Sequence, residues 1–368
     1  MPDLWPFQPL SDCGEAWVWN TDVRTAYSAE MRDSLSEARQ TVSYRYRLTA
    51  EEHAVAIGLV ESQPYGDWYL PMWFEATQSG DVASTDTTLT CDTAASYEAG
   101  GYVVVWQDRS TYAVCEISTV GSGALTLAAA VGANLTAPYI APLRTAFAPS
   151  GMEFERQFHD DVIAGVVFYI RDPVDTAASP FSSYSGLDVV TDLSLAVSPV
   201  AGSLRQVVEL VDSGFGPIAA VPRRSVIDNI YGLNWEDETI SAKARRRKWL
   251  CGLRGKDSTF WMPSRSREMV VTAPIGAADT TISIRPVLPD IASYIGKHIS
   301  IAGTIYREIT SAVVSGSNHV LTIAATGVAL TDPEICFLRK YRLDTDQVEI
   351  AHSGPRARGA ATLREVSA

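Results

Sequence analysis

The chain alternates hydrophobic and polar residues with a period of two over most of its length, which indicates strands with one buried face. The segment "TVSYRYRL" at 41–48 is a clear example. Between residues 87 and 129, "TTLTCD", "GYVVVWQD", "YAVCEISTV" and "ALTLAA" are short runs of strand type at roughly ten-residue spacing. Runs of this length predict a small barrel or sandwich. The expected fold class is therefore mainly β, or more fully a β-rich α+β fold.

A helix is predicted directly after residue 48. Thr49 and Glu52 form a capping box, in which each side chain bonds to the backbone N–H of the other residue. A helix of about three turns is therefore expected to start near Ala50. A more basic segment aligns with this one from Ser241 onward, but it lacks the glutamate. In that segment only the N-cap is expected.

Two aromatic-Pro segments mark a repeat. "DWYLPMWF" at 67–74 and "TFWMPSR" at 259–265 each place an aromatic pair and a Leu or Met before a proline. Aligned on these prolines, residues 49–71 match 241–263 without a gap. Because proline lacks the N–H of a strand ladder, it is expected to end pairing where the chain leaves the repeated unit. The repeat signature consists of Trp68, Tyr69, Pro71, Phe260, Trp261 and Pro263.

Four further matches extend the repeat downstream. They pair "DTTLTCD" with "DTTISIR", "CEISTV" with "REITSAV", "ALTLAAAV" with "VLTIAATG", and "PYIAPLR" with "PEICFLR". Ordered matches at nearly constant spacing predict a tandem duplication. Each copy is expected to contain a strand, a short helix, a second strand, an inserted small β-barrel and a return strand.

These matches divide the chain into six predicted units. They are an N-terminal arm (1–19), a first domain (20–73 with 145–170), its inserted β-barrel (74–144), a linker or arm (171–211), a second domain (212–265 with 339–368) and its inserted β-barrel (266–338). The linker is rich in Pro, Ser and Ala, with room for a strand or two near its end. The last segment, 353–368, is expected to be ordered only where a neighbouring chain holds it.

No combination of side chains predicts catalysis. The five histidines are scattered, and none makes a metal-ligand spacing. In "FHDD" at 158–161, a solvated turn is favoured over a metal site. The five cysteines never form CxxC and are expected to be buried reduced thiols. We therefore expect no enzyme, no metal and no cofactor; a hydrolase would need convergent carboxylates, such as Asp160 or Asp161 with Glu153 or Glu155.

The net charge of −13 argues against a nucleic-acid-coating protein, because phosphate neutralisation needs clustered Lys and Arg. The basic run "KARRRKW" at 243–249 is the sharpest local exception, and most of its charges are expected to face solvent or a protein interface. The first helix carries negative charges where the second carries positive ones. This contrast predicts self-assembly in which a positive surface on one copy binds a negative surface on the next. The candidate assembly residues are Glu51, Glu52, Lys243, Arg245, Arg246, Arg247 and Lys248.

No membrane anchor is expected. The segment "MPDLWPFQPL" at 1–10 has neither the basic nor the apolar region of a signal peptide. The longest apolar run, "VIAGVVFYI" at 162–170, is too short to span a bilayer. The chain is therefore expected to be made in a reducing cytosol.

The segment "YSAEMRDSLSEARQTVSYRYRLTAEE" at 27–52 resembles the distal tail proteins and minor tail proteins at the tail tip of long-tailed, siphovirus-type bacteriophages. The resemblance is carried by Ala29, Glu30 and Arg32, by the later Arg39, and by the alternating strand and short helix that follow. It extends to the Leu-Pro of "GDWYLPMW" and to the "LTL…PYIAPLR" exit of the insert.

Glu30 and Arg32 join the candidate assembly residues through this resemblance. In the second copy the Glu-x-Arg pair is not kept, because the aligned residues are Pro222 and Arg224.

The resemblance implies a tandem duplicated tail-type β-domain in a structural virion protein, assembled in the host cytoplasm. Such proteins form a ring at the distal end of the tail tube, connect the tube to a central hub and the receptor-binding apparatus, and continue the DNA channel. The implied partners are further copies of the chain, the tail tube protein and the tail-tip hub protein, with the tape measure protein and tail fibres as additional candidates. DNA would pass without adhering.

Two questions stay open from the sequence. Six chains could form two stacked rings, or three chains could form one ring with pseudo-sixfold symmetry; six chains are preferred. The alternative function is a receptor- or glycan-binding minor tail protein that uses its inserted barrels. Trp106 and Tyr112, clustered and exposed on one face, would favour that function.

Overall fold

The computed structural model describes residues 2–25, 30–173, 179–192, 201–212, 214–223, 227–354 and 356–366. Within these residues the protein is mainly β, which confirms the predicted fold class. Ala29 of the motif and Arg224 in the second copy lie outside the described residues, as do parts of the predicted linker.

The first half of the chain contains fourteen strands and one α-helix within the described residues. They are β1 (Asp3–Leu4), β2 (Asp12–Val18), β3 (Thr21–Thr25), β4 (Glu30–Ser34), β5 (Arg39–Leu48), α1 (Ala50–Ser62), β6 (Trp68–Pro71), β7 (Thr77–Gln78), β8 (Thr88–Thr90), β9 (Tyr102–Asp108), β10 (Thr111–Val120), β11 (Ala124–Leu127), β12 (Tyr139–Phe147), β13 (Met152–Phe158) and β14 (Asp161–Ile170). A 3₁₀ helix, Trp73–Glu75, follows β6. The strands β7 to β11 form the first insert.

The second half contains fifteen strands and one α-helix in the part of the chain that is described. They are β15 (Ser182–Tyr184), β16 (Leu187–Val189), β17 (Gly202–Arg205), β18 (Val208–Val211), β19 (Ala219–Pro222), β20 (Asp228–Asp237), α2 (Ile240–Leu253), β21 (Phe260–Pro263), β22 (Thr281–Ile284), β23 (His298–Ile301), β24 (Ile305–Glu308), β25 (Ser311–Ser315), β26 (Asn318–Thr322), β27 (Ile335–Leu343), β28 (Gln347–Ser353) and β29 (Arg356–Glu365). The strands β22 to β26 form the second insert.

The main strands outside the inserts follow the same order and pair in the same way in the two halves. In the first half, β14 pairs with β5, β12 and β13, and β12 pairs with β6. In the second half, β29 pairs with β20, β27 and β28, and β27 pairs with β21. The registers agree as well, since Leu143 lies opposite Pro71 and Leu338 lies opposite Pro263. Each proline is the last residue of its strand, where the sequence predicts the end of pairing.

One antiparallel run of strands passes through both halves. Its order is β17–β20–β29–β28 in the second half, followed by β2–β5–β14–β13 in the first. Each half therefore contributes four strands in an equivalent order to one sheet.

The signature residues fill separate cores. Trp68 lies in the main core of the first half and Phe260 in that of the second. The next residues, Tyr69 and Trp261, lie in smaller apolar clusters, because neighbouring side chains of a strand point to opposite faces.

The two inserts have their own hydrophobic cores and dock in the same register. The strands of the first insert pair in the order β8–β11–β10–β9, and β9 then pairs with β12. In the second insert β23 pairs with β24 and β27, while β22, β26 and β25 form a separate sheet. Tyr102 lies opposite Leu143, and His298 lies opposite Leu338. The closed barrels remain a prediction.

Helix α1 begins where the sequence predicts. Thr49 Oγ1 accepts a hydrogen bond from the Glu52 N–H at 3.2 Å, and the Glu52 carboxylate accepts one from the Thr49 N–H at 3.0 Å. The N-cap of α2 is Thr239 and not Ser241, which corrects the alignment at this point. Thr239 accepts a hydrogen bond from Ala242, which has no carboxylate to complete a capping box.

Strands from both terminal segments, including part of the predicted N-terminal arm (1–19), pair within the sheet, which corrects the expectation that residues 353–368 are ordered only where a neighbouring chain holds them. The strand β2 lies between β5 and β28. The strand β29 pairs with β20, β27 and β28 of the same chain, which satisfies its backbone without a neighbouring chain.

Candidate assembly interface

The strand β2 joins the two halves in the sheet. On one side β2 pairs with β5 of its own half, and on the other it pairs with β28 of the second half. The pairing with β28 runs from Asp12 opposite Ser353 to Val18 opposite Gln347. The halves therefore lie side by side along one sheet. We call the region around this pairing the inter-half joint.

The inter-half joint contains a buried charged cluster with side chains from both halves. Glu15 on β2 and Glu75 come from the first half, and Arg247 on α2 and His352 on β28 come from the second. Arg247 lies 2.8 Å from Glu15 and also pairs with Glu75. His352 Nε2 lies 2.8 Å from Glu15, and its ring stacks on Phe74 with centroids 4.3 Å apart. Ion pairs thus connect the two halves beneath the paired strands.

The surroundings of Glu15 favour its ionised form. Burial by itself would raise the pKa of Glu15, but the Arg247 guanidinium and the hydrogen bond with His352 outweigh burial and lower that pKa to about 2. Burial lowers the pKa of His352, against the opposing effect of Glu15. At neutral pH this favours an uncharged imidazole whose Nε2–H donates to Glu15.

The basic run of α2 does not mostly face solvent or a partner, which corrects the expectation. Lys243, Arg246 and Arg247 are buried, whereas Arg245 and Lys248 are exposed. The three buried residues follow the spacing i, i+3, i+4, which places them on one face of the helix. That face is turned toward carboxylates and carbonyl groups of the same chain. The i, i+3, i+4 spacing of these three residues is the sequence signal from which a buried basic face could have been predicted.

The other two buried basic side chains also bind within the chain. Arg246 lies 3.2 Å from Asp237 and 3.0 Å from Asp192, both in the second half. Burial raises the pKa of Asp237, and Arg246 opposes this effect. Lys243 donates to the backbone carbonyl of Phe74, and burial lowers the pKa of this lysine. Arg246 therefore anchors α2 to its own half, while Lys243 reaches across to the first half.

The β3–β4 hairpin of the first half also contacts the second half. Glu30 on β4 pairs with the buried Arg342 on β27, whose guanidinium lies 2.9 Å from Asp344. The hydroxyl of Thr21 donates to Asp346 at 2.8 Å. Glu30, the acidic residue of the motif that resembles tail proteins, thus lies at a contact between halves. The sequence did not indicate Arg342 as its partner.

The remaining candidate residues do not meet the basic helix. Arg32 is half-buried on β4. Glu51 and Glu52 lie 3.4 and 3.9 Å from Arg109 of the first insert. Among the described residues, the acidic side chains of α1 therefore pair with the first insert and not with α2. Charge attraction between copies stays a prediction for the exposed Arg245 and Lys248.

Two strands at the ends of the eight-stranded run have one neighbour each among the described residues. The strand β13 pairs only with β14, and β17 pairs only with β20. On β13, Phe154 is 54% and Phe158 is 75% exposed, and on β17 Leu204 is 72% exposed. The sequence did not indicate which strands form these edges.

The candidate hydrolytic carboxylates are placed on an exposed hairpin. Asp161 lies 2.8 Å from Arg47, and the hydrogen bond from this arginine lowers the pKa of Asp161. Asp160 is exposed in the turn, and Glu153 and Glu155 are exposed on β13. Within the described ranges, no group of three His, Cys, Asp or Glu side chains could hold a metal ion. The five cysteines are buried and free, as predicted.

The aromatic pair of the first insert is mostly covered. Trp106 stacks on Tyr112 with centroids 5.5 Å apart, and Trp73 packs edge-on against Trp106. Trp106 is only 3% exposed. The two rings are clustered, but the exposure of Trp106 that would favour receptor or glycan binding is not found, and of the pair only Tyr112 presents a partly open ring.

In the part of the chain that the structure describes, no helix is both long and apolar enough to cross a membrane. No protein-family model matches the chain, and a search of curated proteins finds no sequence match.

Proposed function

We propose that the protein is a structural component of a phage tail tip, which assembles with its own copies into a ring at the distal end of the tail tube. The observation that carries this proposal is the inter-half joint. Two halves of equivalent strand order lie side by side in one sheet, and among the described residues the run ends in an open strand at each side. A contact of this head-to-tail kind generates a ring when its rotation closes.

The resemblance to distal tail proteins supports the same function. Glu30, part of the motif that carries the resemblance, contacts Arg342 across the two halves. In this role the tube protein and the hub protein would bind the two faces of the ring. The net charge of −13 suits a channel through which DNA moves without adhering. The virion is the corresponding location.

The side-by-side halves favour three chains per ring over six. If each half takes the place of one subunit in a sixfold ring, three chains complete it. Six chains in two stacked rings would need the halves to lie above one another, whereas β2 pairs laterally with β28. Receptor or glycan binding is the less favoured alternative, because Trp106, whose exposure would favour it, is buried.

Native mass spectrometry of the purified full-length chain, followed by class averages from electron microscopy, tests this function. We expect a closed assembly of three chains with six similar lobes and a central hole. A closed assembly of six chains would contradict the ring order. A particle without a hole at every protein concentration would contradict the ring itself.

A further inference from the structure

We propose that the contact between neighbouring copies repeats the inter-half joint, so that β17 of one copy pairs antiparallel with β13 of the next. This inference deepens the proposed ring and identifies the surfaces that form it. The pairing itself depends on the strand edges, and only its closure into a ring rests on the proposed function.

The first step is the equivalence of the strands. In the hairpin β13–β14, β13 occupies the place that β28 occupies in the hairpin β28–β29. Likewise, β17 pairs with the first residues of β20 as β2 pairs with the first residues of β5. The chain thus has two joints of one type, of which β2–β28 is made internally and β17–β13 is left open at the two ends of the run.

The second step is the register. In the inter-half joint, Glu15 lies opposite Ile350 and Trp17 lies opposite Val348. If β17 of one copy takes the place of β2, and β13 of the next copy takes the place of β28, the same register pairs residues of the two copies. Gly202 then lies opposite Phe154, Ser203 opposite Glu153, and Leu204 opposite Met152. An aromatic side chain across from an edge glycine is a known stabilising pair in sheets.

The third step is burial. Ile350 on β28 is 3% exposed in an apolar cluster that also contains Trp17 and Trp19 of the first half, whereas its equivalent Phe154 on β13 is 54% exposed. Leu204, at the other end of the run, is 72% exposed. A long exposed edge with apolar side chains is normally protected by pairing or covering. A second copy supplies both partners at once.

The fourth step concerns the hairpins beside these strands. The β3–β4 hairpin, which follows β2, reaches the end of α2, where the Lys256 N–H donates to Thr21 Oγ1. The β18–β19 hairpin follows β17 in the same way and exposes Leu210 and Phe215. By the same geometry it covers the segment after α1 in the next copy, where Tyr65 is 93% exposed.

Disulfide trapping tests the register. Ser203→Cys and Glu153→Cys are made in separate full-length chains, which are purified reduced, mixed and oxidised. We expect a covalent dimer in the mixture only, since each variant alone lacks the opposing cysteine. The native cysteines are buried, which keeps the background low.

Glu155→Cys mixed with Ser203→Cys is the matched control. Diagonal positions are about 7 Å apart, whereas a disulfide needs Cβ atoms about 4 Å apart, so we expect cross-linking at least about tenfold slower in the control. Equal rates, no dimer in the first mixture, or dimers from either variant alone would overturn the proposed pairing.

Phe154→Glu provides a second measurement that does not depend on cysteines. We expect a folded chain with native circular dichroism that no longer associates in analytical ultracentrifugation. Native association of this variant would overturn the pairing. If the protein forms a ring but the disulfide does not form, the β17–β13 pairing is wrong and the proposed ring stands. If the disulfide forms but the assemblies are open-ended chains, the pairing is supported and the ring is contradicted.

Discussion

The strands β28 and β13 occupy the same place in the two halves, yet their side chains differ in exposure. Along β28 buried and exposed residues alternate, whereas on β13 every residue after Met152 is exposed. The backbone pairing within the hairpins is equivalent. What differs is the neighbouring strand, because β2 pairs beside β28, whereas β13 has no second strand neighbour among the described residues. The burial of these two strands therefore depends more on which strands lie beside them than on their place in the hairpin.

The helices show the same contrast. Helix α1 buries only His53 and Ala56, while α2 buries seven residues, including Lys243, Arg246 and Arg247. The second helix lies at the inter-half joint, where it meets carboxylates from both halves. Four changes should break or sharpen this comparison.

The largest effect is expected from Arg247→Met. The change leaves Glu15 and Glu75 buried without their shared guanidinium, which should lower the free energy of unfolding by about 3–5 kcal/mol. Urea denaturation followed by tryptophan fluorescence measures the loss. Arg245→Met is the control: this exposed residue lies over the Phe181 ring at 4.7 Å, and its loss should cost about 0.5–1 kcal/mol. Equal losses would show that the inter-half joint has no special role.

A similar effect is expected from acid. The pKa of Glu15 is lowered from 4.5 to about 2 in the folded chain, so its stabilisation is complete above pH 4.5 and is lost as pH falls through the folded value. The loss amounts to about 3 kcal/mol. Glu15→Gln should be less stable at neutral pH but lack this part of the acid dependence. Parallel slopes of stability against pH in the two proteins would contradict the assignment.

A smaller, local effect is expected from Glu30→Gln. Removing the charge that faces Arg342 should cost about 1–3 kcal/mol. The loss should appear mainly as faster amide hydrogen exchange in β3 and β4, with α1 little changed. Asp33→Asn, at an exposed position of the same strand, should stay within about 0.5 kcal/mol of the native protein.

The smallest effect is expected at the helix N-caps. Thr49→Ala and Thr239→Ala should each cost about 1 kcal/mol. Glu52→Ala should add a cost in the first half only, because Ala242 holds the corresponding position in α2. Thermal unfolding of the three variants measures these differences. Identical behaviour of Glu52→Ala and the native protein would show that the capping box is energetically silent.

Local patterns predicted what local interactions determine. The alternation at 41–48, the capping box at Thr49 and the strand-ending prolines needed no knowledge of distant residues. The inter-half joint was missed because Arg247 and Glu15 are 232 residues apart in the chain. A count of charges also does not distinguish a solvated basic helix from one that faces buried carboxylates. The C-terminal segment was misread because its Gly- and Ala-rich composition matches a tail, although β27 and β20 hold it in place.

The position of β2 has a consequence for synthesis on the ribosome. This strand is synthesised long before β28, which is one of its two partners. Until β28 has been made, the first half exposes an unpaired strand edge, which is prone to non-native pairing with other nascent chains. Synthesis of β28 closes that edge, so burial of β2 should follow the emergence of β28 from the ribosome. Chains truncated before residue 347 should consequently aggregate more than full-length chains.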